Sequence, residues 1–266
     1  YGFKGEPLPE RQIALYSKQI LEGMAYFAAL GLPCTGIHTG NIIMRDSNWC
    51  QISDFENLTL RKEIANQAVS VASRAIDQAR LEAKRQRIEH AMRDVMETLG
   101  LDLSDDSLSE TPERIAKMYV DEIFYGLNPN NKPKVALFEN KYKYNEMLVE
   151  RNITFYSNCE HHFVPIYGKV HVAYISSGKV IGLSKINRIV DYFARRPQVQ
   201  ERLTNQIGNE LMEILETEDV AVIVDAKHMC VSSRGIKDNS SATTTSFYSG
   251  KFRDDNTKSE FHKYLD

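Results

Sequence analysis

Two short segments carry side chains suited to binding a metal ion. Asn158-Cys159-Glu160-His161-His162 sets a thiol and an imidazole three residues apart with a second imidazole between them. Far downstream, Lys227-His228-Met229-Cys230 ends an apolar, strand-like run. On a strand, His228 and Cys230 alternate by two and face one side. If the segments meet, Cys159, His162 and Cys230 supply two thiolates and one imidazole, a set suited to zinc with the fourth tetrahedral position left for water. Zinc lowers the pKa of such a water towards ~7, which makes hydroxide available at neutral pH. A closed structural site would want a fourth protein ligand. A Cys-x-x-His pair is common by chance, and a lone Cys is more often a small buried hydrophobe. His161 and His228 strengthen the functional reading, because each stands beside an expected ligand where a general acid or base is needed. The alternative for both is a partly buried histidine satisfied by backbone carbonyls.

The surrounding sequence must bring these side chains together. Strand-like alternation runs through 151–157, 168–175, 219–228 and 241–248, with helical stretches at Ser184–Arg195 and Pro197–Glu216 between the second and third. Two strands, two helices and two strands predict an α+β unit with an antiparallel sheet. Thr111-Pro112-Glu113-Arg114 reads as a helix start, Thr as N-cap and Pro in the first turn, for a helix reaching about Tyr125. Upstream, residues 61–99 contain neither Pro nor Gly and predict one long helix or two abutting ones. Composition shifts near residue 61, so a domain boundary is expected between 61 and 82. Before it, Ile13, Tyr16, Ile20, Met24 and Phe27 recur at helical spacing over 10–30, and Gly31 and Pro33 stand where that helix would stop. Ile42-Ile43-Met44 and Cys50-Gln51-Ile52 flank Asp46-Ser47-Asn48, the pattern of a small hairpin.

Composition narrows the partners. A formal net charge of -3 over 266 residues gives no reason to expect nucleic-acid or anionic-membrane binding. No stretch approaches the ~18 to 20 apolar residues of a membrane span, and YGFKGEPLPERQ lacks the order of a secretory signal. Four cysteines, Cys34, Cys50, Cys159 and Cys230, are too few for a disulfide scaffold. A reducing, cytoplasmic setting is expected, with thiolates free for metal.

From about Arg87 to Asp266 the chain resembles GTP cyclohydrolase I. The resemblance rests on SDDSLSETPERIAKMYVDEIFYGL, NCEHHFVPIYGKVHVAYI, VIGLSKINRIVDYFARRPQVQERLTNQI and DAKHMCVSSRGIKDNSSATTT, in that order, with Cys159 and Cys230 71 residues apart. It implies that Cys159, His162 and Cys230 bind zinc and that His161 and His228 handle protons as the imidazole ring of GTP opens. It implies that Gln200 and Glu201 anchor guanine, whose N1–H and exocyclic amine one carboxylate can accept together. Lys185, Arg188 and Arg234, with Arg114 and Lys117, would hold the triphosphate, helped by the helix N-terminus at Ser184. Ser184 matches a proton-handling hydroxyl in the ribose rearrangement. The implied product is 7,8-dihydroneopterin triphosphate with formate released, the first step towards tetrahydrofolate or tetrahydrobiopterin. The implied architecture is a T-fold in a toroidal homodecamer whose active sites lie between subunits. Against this stands a non-catalytic reading in which zinc only staples an interaction protein with a kinase-like docking head; such a staple requires neither the two extra histidines nor the phosphate cations.

The first 60 residues resemble something else. Ile37-His38-Thr39-Gly40-Asn41-Ile42-Ile43-Met44 and Ile52-Ser53-Asp54-Phe55-Glu56-Asn57 are similar to the catalytic and metal loops of protein-kinase-like folds, most of all the inactive phox-domain-associated ones. The position of the catalytic Asp is Gly36, Cys34 and Thr35 replace the preceding His-Arg, and Glu56 replaces a Gly. No Gly-rich loop or strand-borne Lys accompanies Asn41 and Asp54, so the resemblance implies a fragment without kinase activity. The expected division is a kinase-like fragment over 1–60, a helical linker over 61–81 and a catalytic domain over 82–266.

Overall fold

The computed structural model describes residues 21, 42–44, 50–52 and 62–265. Apart from Leu21, the helix expected over 10–30 lies outside these residues, as do Gly36, Asn41 and Asp54 of the kinase-like segment. The chain divides into two compact units, Tyr1–Lys84 and Arg85–Asp266. In the first, β1 (Ile42–Met44) pairs antiparallel with β2 (Cys50–Ile52), Ile42 opposite Ile52, the strand pair expected from the two apolar triplets.

The helix α1 (Lys62–Thr98) is continuous, as its run of good helix formers leads one to expect. It ends where Gly100 takes φ +81°, with Gly100 N–H bonded to Glu97 O at 2.9 Å and Leu101 N–H to Met96 O at 3.1 Å. That paired closure satisfies the last carbonyls and needs a residue tolerant of positive φ. The next helix, α2 (Thr111–Met118), departs from expectation at both ends. Thr111 is its first helical residue rather than its cap, because the chain arrives from a turn: Thr111 N–H bonds Leu108 O, and Glu110 at the cap position is already near-helical (φ -94°, ψ -1°). Beyond Met118 the helix widens into a π-turn, Tyr119–Ile123, followed by a tight turn over Tyr125–Leu127.

Five strands form the main sheet: β4 (Met147–Cys159), β5 (Pro165–Ile175), β7 (Pro197–Gln198), β8 (Val220–His228) and β9 (Thr243–Tyr248), in the order β7-β4-β5-β8-β9. A separate two-stranded ladder joins β3 (Leu137–Glu139) to β6 (Lys179–Ile181). Helices α3 (Leu183–Ala194) and α4 (Gln200–Leu215) follow, then the short α5 (Met229–Ser232) and the C-terminal α6 (Asp255–Lys263). The α+β reading holds, and the four expected strands and two helices are all present. Two corrections concern the strands. The first strand begins at Met147, and the register shifts between Glu150 and Ile153 with Asn152 at φ +63°, a bulge that breaks the alternation and hides the strand's start. Pro197 does not open a helix: Pro197 and Gln198 form β7, parallel to β4, and the helix begins three residues later at Gln200.

Alternation along β4, β5 and β8 puts Phe155, Ile166, Val170, Val172, Val222 and Val224 on one face, where they pack with Ile186, Ile189 and Val190 of α3 and Leu203, Ile207 and Leu211 of α4. Each such side chain contributes about 1.5–3 kcal/mol on burial, so this layer fixes the sheet against its helices. A smaller cluster of Met147, Ala173, Ala221, Ile223, Phe252 and Phe261 brings α6 onto the opposite face. Gly168, in the middle of β5, shows how closely the strands approach: a Cβ there would lie 2.0 Å from Asp225 O and 2.6 Å from Ala226 Cα. Gly168→Ala is therefore expected to cost about 1–3 kcal/mol through forced backbone displacement, read as a lowered melting temperature.

Candidate metal centre and active site

The first ligand segment is the turn between β4 and β5. Cys159 N–H bonds Val164 O at 2.9 Å, and Phe163 N–H bonds Cys159 O at 2.8 Å, closing one helical turn. In such a turn residues three apart share a side, which is what the Cys-x-x-His spacing requires. Phe163 sits at φ +55°, a costly conformation for an aromatic residue. Asn158 offsets that cost by donating from Nδ2 to Phe163 O at 2.9 Å, and the Phe163 ring packs against Phe124 and Tyr119 at centroid distances of 5.2 and 6.5 Å. The π-turn thus presents the aromatic pair behind the ligand loop.

The second segment follows β8. Here the strand-alternation argument fails: His228 is the last residue of β8, while Cys230 lies on the helical turn α5. Ser233 N–H bonds Met229 O, and the chain curls instead of extending. The register places Asn158 opposite Pro165 and Ile166 opposite His228, so both segments emerge at the same end of the sheet.

Among the described residues, Cys159, His162 and Cys230 bring their ligand atoms within 4.8 Å of one another. Ligands of a tetrahedral zinc stand about 3.5–3.8 Å apart, from Zn–S near 2.3 Å and Zn–N near 2.0–2.1 Å, so two sulfurs and a nitrogen in this grouping fit zinc with a small contraction. Cys159 is buried, Cys230 half-buried and His162 exposed. Burial, with the hydrogen bond and charge of Cys159 adding to it, pushes the Cys230 thiol up from its ordinary value. Arg234 Nη1 lies 3.0 Å from His162 Nε2.

The two further histidines lie beside this group. His161 Nδ1 is 3.6 Å from Cys159 Sγ. His228 Nε2 is 2.7 Å from Gln200 Oε1. Desolvation pulls the His228 imidazole below the ordinary histidine range, and the Glu201 carboxylate opposes that shift. Gln200 is buried, whereas Glu201, next to it at the start of α4, is exposed.

The expected phosphate cations are dispersed. Ser184, Lys185 and Arg188 occupy the first two turns of α3. Arg114 is engaged by Glu110 at 2.6 Å, and Lys117 follows one turn later on α2. Among the described residues, the hydrogen bonds bring Arg234 alone of these to the ligand group.

One network went unread in the sequence. Arg202 bonds Glu160 through Nη2, Gln198 Oε1 through Nε at 2.9 Å and Pro197 O at 2.9 Å, and Glu160 N–H bonds Gln198 O at 3.0 Å. It fastens the ligand loop to β7 and the first turn of α4. Glu160 and Arg202 stand 42 residues apart, and neither spacing nor periodicity signals their meeting.

Replacing a ligand with Ser is expected to remove metal without removing fold: Cys159 belongs to the buried core and Cys230 packs against it, but Ser is close to Cys in size and leaves little cavity. Cys159→Ser and Cys230→Ser should each lower zinc affinity by more than the ~10–100-fold typical of losing an outer-sphere partner, measured by equilibrium dialysis against a competing chelator. The circular dichroism spectrum should be unchanged.

Comparison with known proteins is consistent along this region. The family model described as GTP cyclohydrolase I matches residues 88–266. GTP cyclohydrolase 1 of Flavobacterium johnsoniae is 61% identical over 184 residues, covering 69% of this chain and 82% of that protein. GTP cyclohydrolase 1 of Aeromonas hydrophila subsp. hydrophila is 60% identical over 179 residues, 67% of this chain and 82% of that protein. A solved structure, the archaeosine synthase QueF-Like in the apo form, aligns with a TM-score of 0.32 and 19% identity over 40% of this chain and 92% of that one, too slight a likeness to build on.

Proposed function

Since the chain belongs to the GTP cyclohydrolase I family, we propose that the residues gathered at the end of its sheet carry that family's reaction. The protein is a zinc enzyme that hydrolyses and rearranges GTP to 7,8-dihydroneopterin triphosphate with release of formate, at the head of tetrahydrofolate and tetrahydrobiopterin synthesis. The observation that carries the site assignment is the convergence of Cys159, His162 and Cys230, with His161 and His228 beside them.

Cys159, His162 and Cys230 hold the zinc, which when bound supplies Lewis-acid activation of water for attack at C8 of the purine. His228 delivers a proton to N7 as water adds to C8; the C8–N9 bond then breaks, N9 taking a proton, and His161 exchanges protons with the formamide left on N7. A second hydrolysis then frees C8 as formate. Glu201 accepts from guanine N1–H and the exocyclic amine, the pairing that fixes the base. Lys185, Arg188 and Arg234 neutralise the triphosphate, aided by the N-terminus of α3. Ser184, on the same turn, relays a proton as the ribose rearranges. Ring closure expels one water, so one water is consumed overall. Arg114 and Lys117 lie on a different helix and reach phosphates from a second copy, consistent with a T-fold homodecamer whose sites span subunits. Among the described residues no helix is long and apolar enough to cross a membrane, and a cytoplasmic location suits thiolate ligands.

The test is GTP turnover, followed as formate release and as a pterin that fluoresces after oxidation. Chelation should abolish turnover and added zinc restore it; zinc-loaded protein that forms neither product would refute the assignment. His228→Ala is expected to lose about 10²–10⁴-fold in kcat while retaining zinc. Glu201→Ala should instead act chiefly on KM for GTP, because it removes a contact made by the bound base before any bond breaks.

A further inference from the structure

Gln200 is 2% exposed, and its carboxamide is committed in three directions. Nε2 donates to Val224 O at 3.0 Å and to Thr243 O at 2.8 Å. Backbone carbonyls only accept, so the end of the amide facing them is the NH2 group, and the other end must be Oε1. That oxygen lies 2.7 Å from His228 Nε2. An amide oxygen cannot donate, so the shared hydrogen belongs to the imidazole. The contact therefore pins the ring: Nε2 is held against Gln200, so the plane and tilt of the His228 imidazole follow the amide.

The clamp is itself anchored. Gln200 is the first residue of α4, and one turn on Thr204 Oγ1 bonds Gln200 O at 2.8 Å and Thr245 Oγ1 at 2.6 Å. Helix start, β8 and β9 thus hold one another through Gln200 and Thr204, with His228 at the end of the chain of bonds. Both amide hydrogens are taken by backbone, and the amide oxygen faces His228 rather than the exposed neighbour Glu201.

We propose that Gln200 is a positioning residue, which orients the His228 imidazole for proton transfer, rather than a contact to guanine. The proposal rests on the GTP reading above. If the wild-type protein does not turn over GTP, that reading fails; if it does and Gln200 proves dispensable, this proposal alone fails.

The experiment compares Gln200→Met with the wild type in the zinc-loaded full chain, zinc content and melting temperature being recorded for each. A misplaced general acid costs on the order of 10²-fold, so kcat should fall by about that factor with KM for GTP within about twofold. GTP affinity is then measured by calorimetry for His228→Ala and for His228→Ala/Gln200→Met. Equal affinities within about twofold are expected, since the clamp has nothing left to hold. An unchanged kcat, or a tenfold weakening of GTP affinity in the double variant, would overturn the proposal. If the methionine variant does not assemble, Gln200→Asn takes its place, because it keeps the amide hydrogens but draws the group back from His228 by one methylene. It should lower kcat at least about tenfold with KM unchanged; an unchanged kcat, or a KM raised more than about tenfold, overturns the proposal as well.

Discussion

The geometry of the site depends on one short parallel pairing. Asn158 and Cys159, at the end of β4, lie opposite Pro197 and Gln198, and the residues that follow open α4. The stretch 197–202 therefore touches both halves of the site through Pro197, Gln198, Gln200 and Arg202. Gln198 receives the amide of Glu160, Gln200 holds His228, and Arg202 returns to Glu160. A two-residue strand gains little by itself. Its value lies in joining, at one end of the sheet, a loop and a strand terminus that the β5–β8 register has already brought level.

The division of labour between core and site follows. Sheet and helices are fixed by an apolar layer with Val170, Val172, Ile186, Ile207, Leu211 and Val224 fully buried. The ligand loop, at the rim of that layer, can carry an unfavourable backbone at Phe163 because Asn158, Phe124 and Tyr119 determine its position from outside. Exposure grades across the group, from buried Cys159 to exposed His161 and His162. A solute can therefore reach the imidazoles, while the thiol that anchors the group is shielded.

The ligand types were legible in the sequence because soft donors at short spacing are rare and chemically specific. The four strands and two helices were legible because alternation and helical period are imposed by the core. What stayed hidden has physical reasons. The bulge at Asn152 interrupts the alternation that would have marked the start of β4, and the pairing of Pro197 and Gln198 depends on a strand 39 residues away. The position of Cys230 was misjudged because strand periodicity was carried two residues past the end of β8, where the chain turns into α5. Gln200 is hardest of all, for two of its partners are carbonyls of Val224 and Thr243, and backbone acceptors leave no trace in residue type. The start of α6 also went unread, although Asp254 accepts there from the amides of Asn256 and Thr257, an ordinary helix start.

Cys159 and Cys230 are separated by 71 residues of chain. Closing a flexible loop of that length costs about 4 kcal/mol in chain entropy beyond a constant term. In a small metal-folded domain the ion itself must supply that free energy on binding. Here β5, α3, α4 and β8 fill the interval, and their packed apolar layer shares the work of holding the two ends together. The burden on the ion is correspondingly smaller than in a domain with no core, because side-chain burial and coordination act to close the same loop.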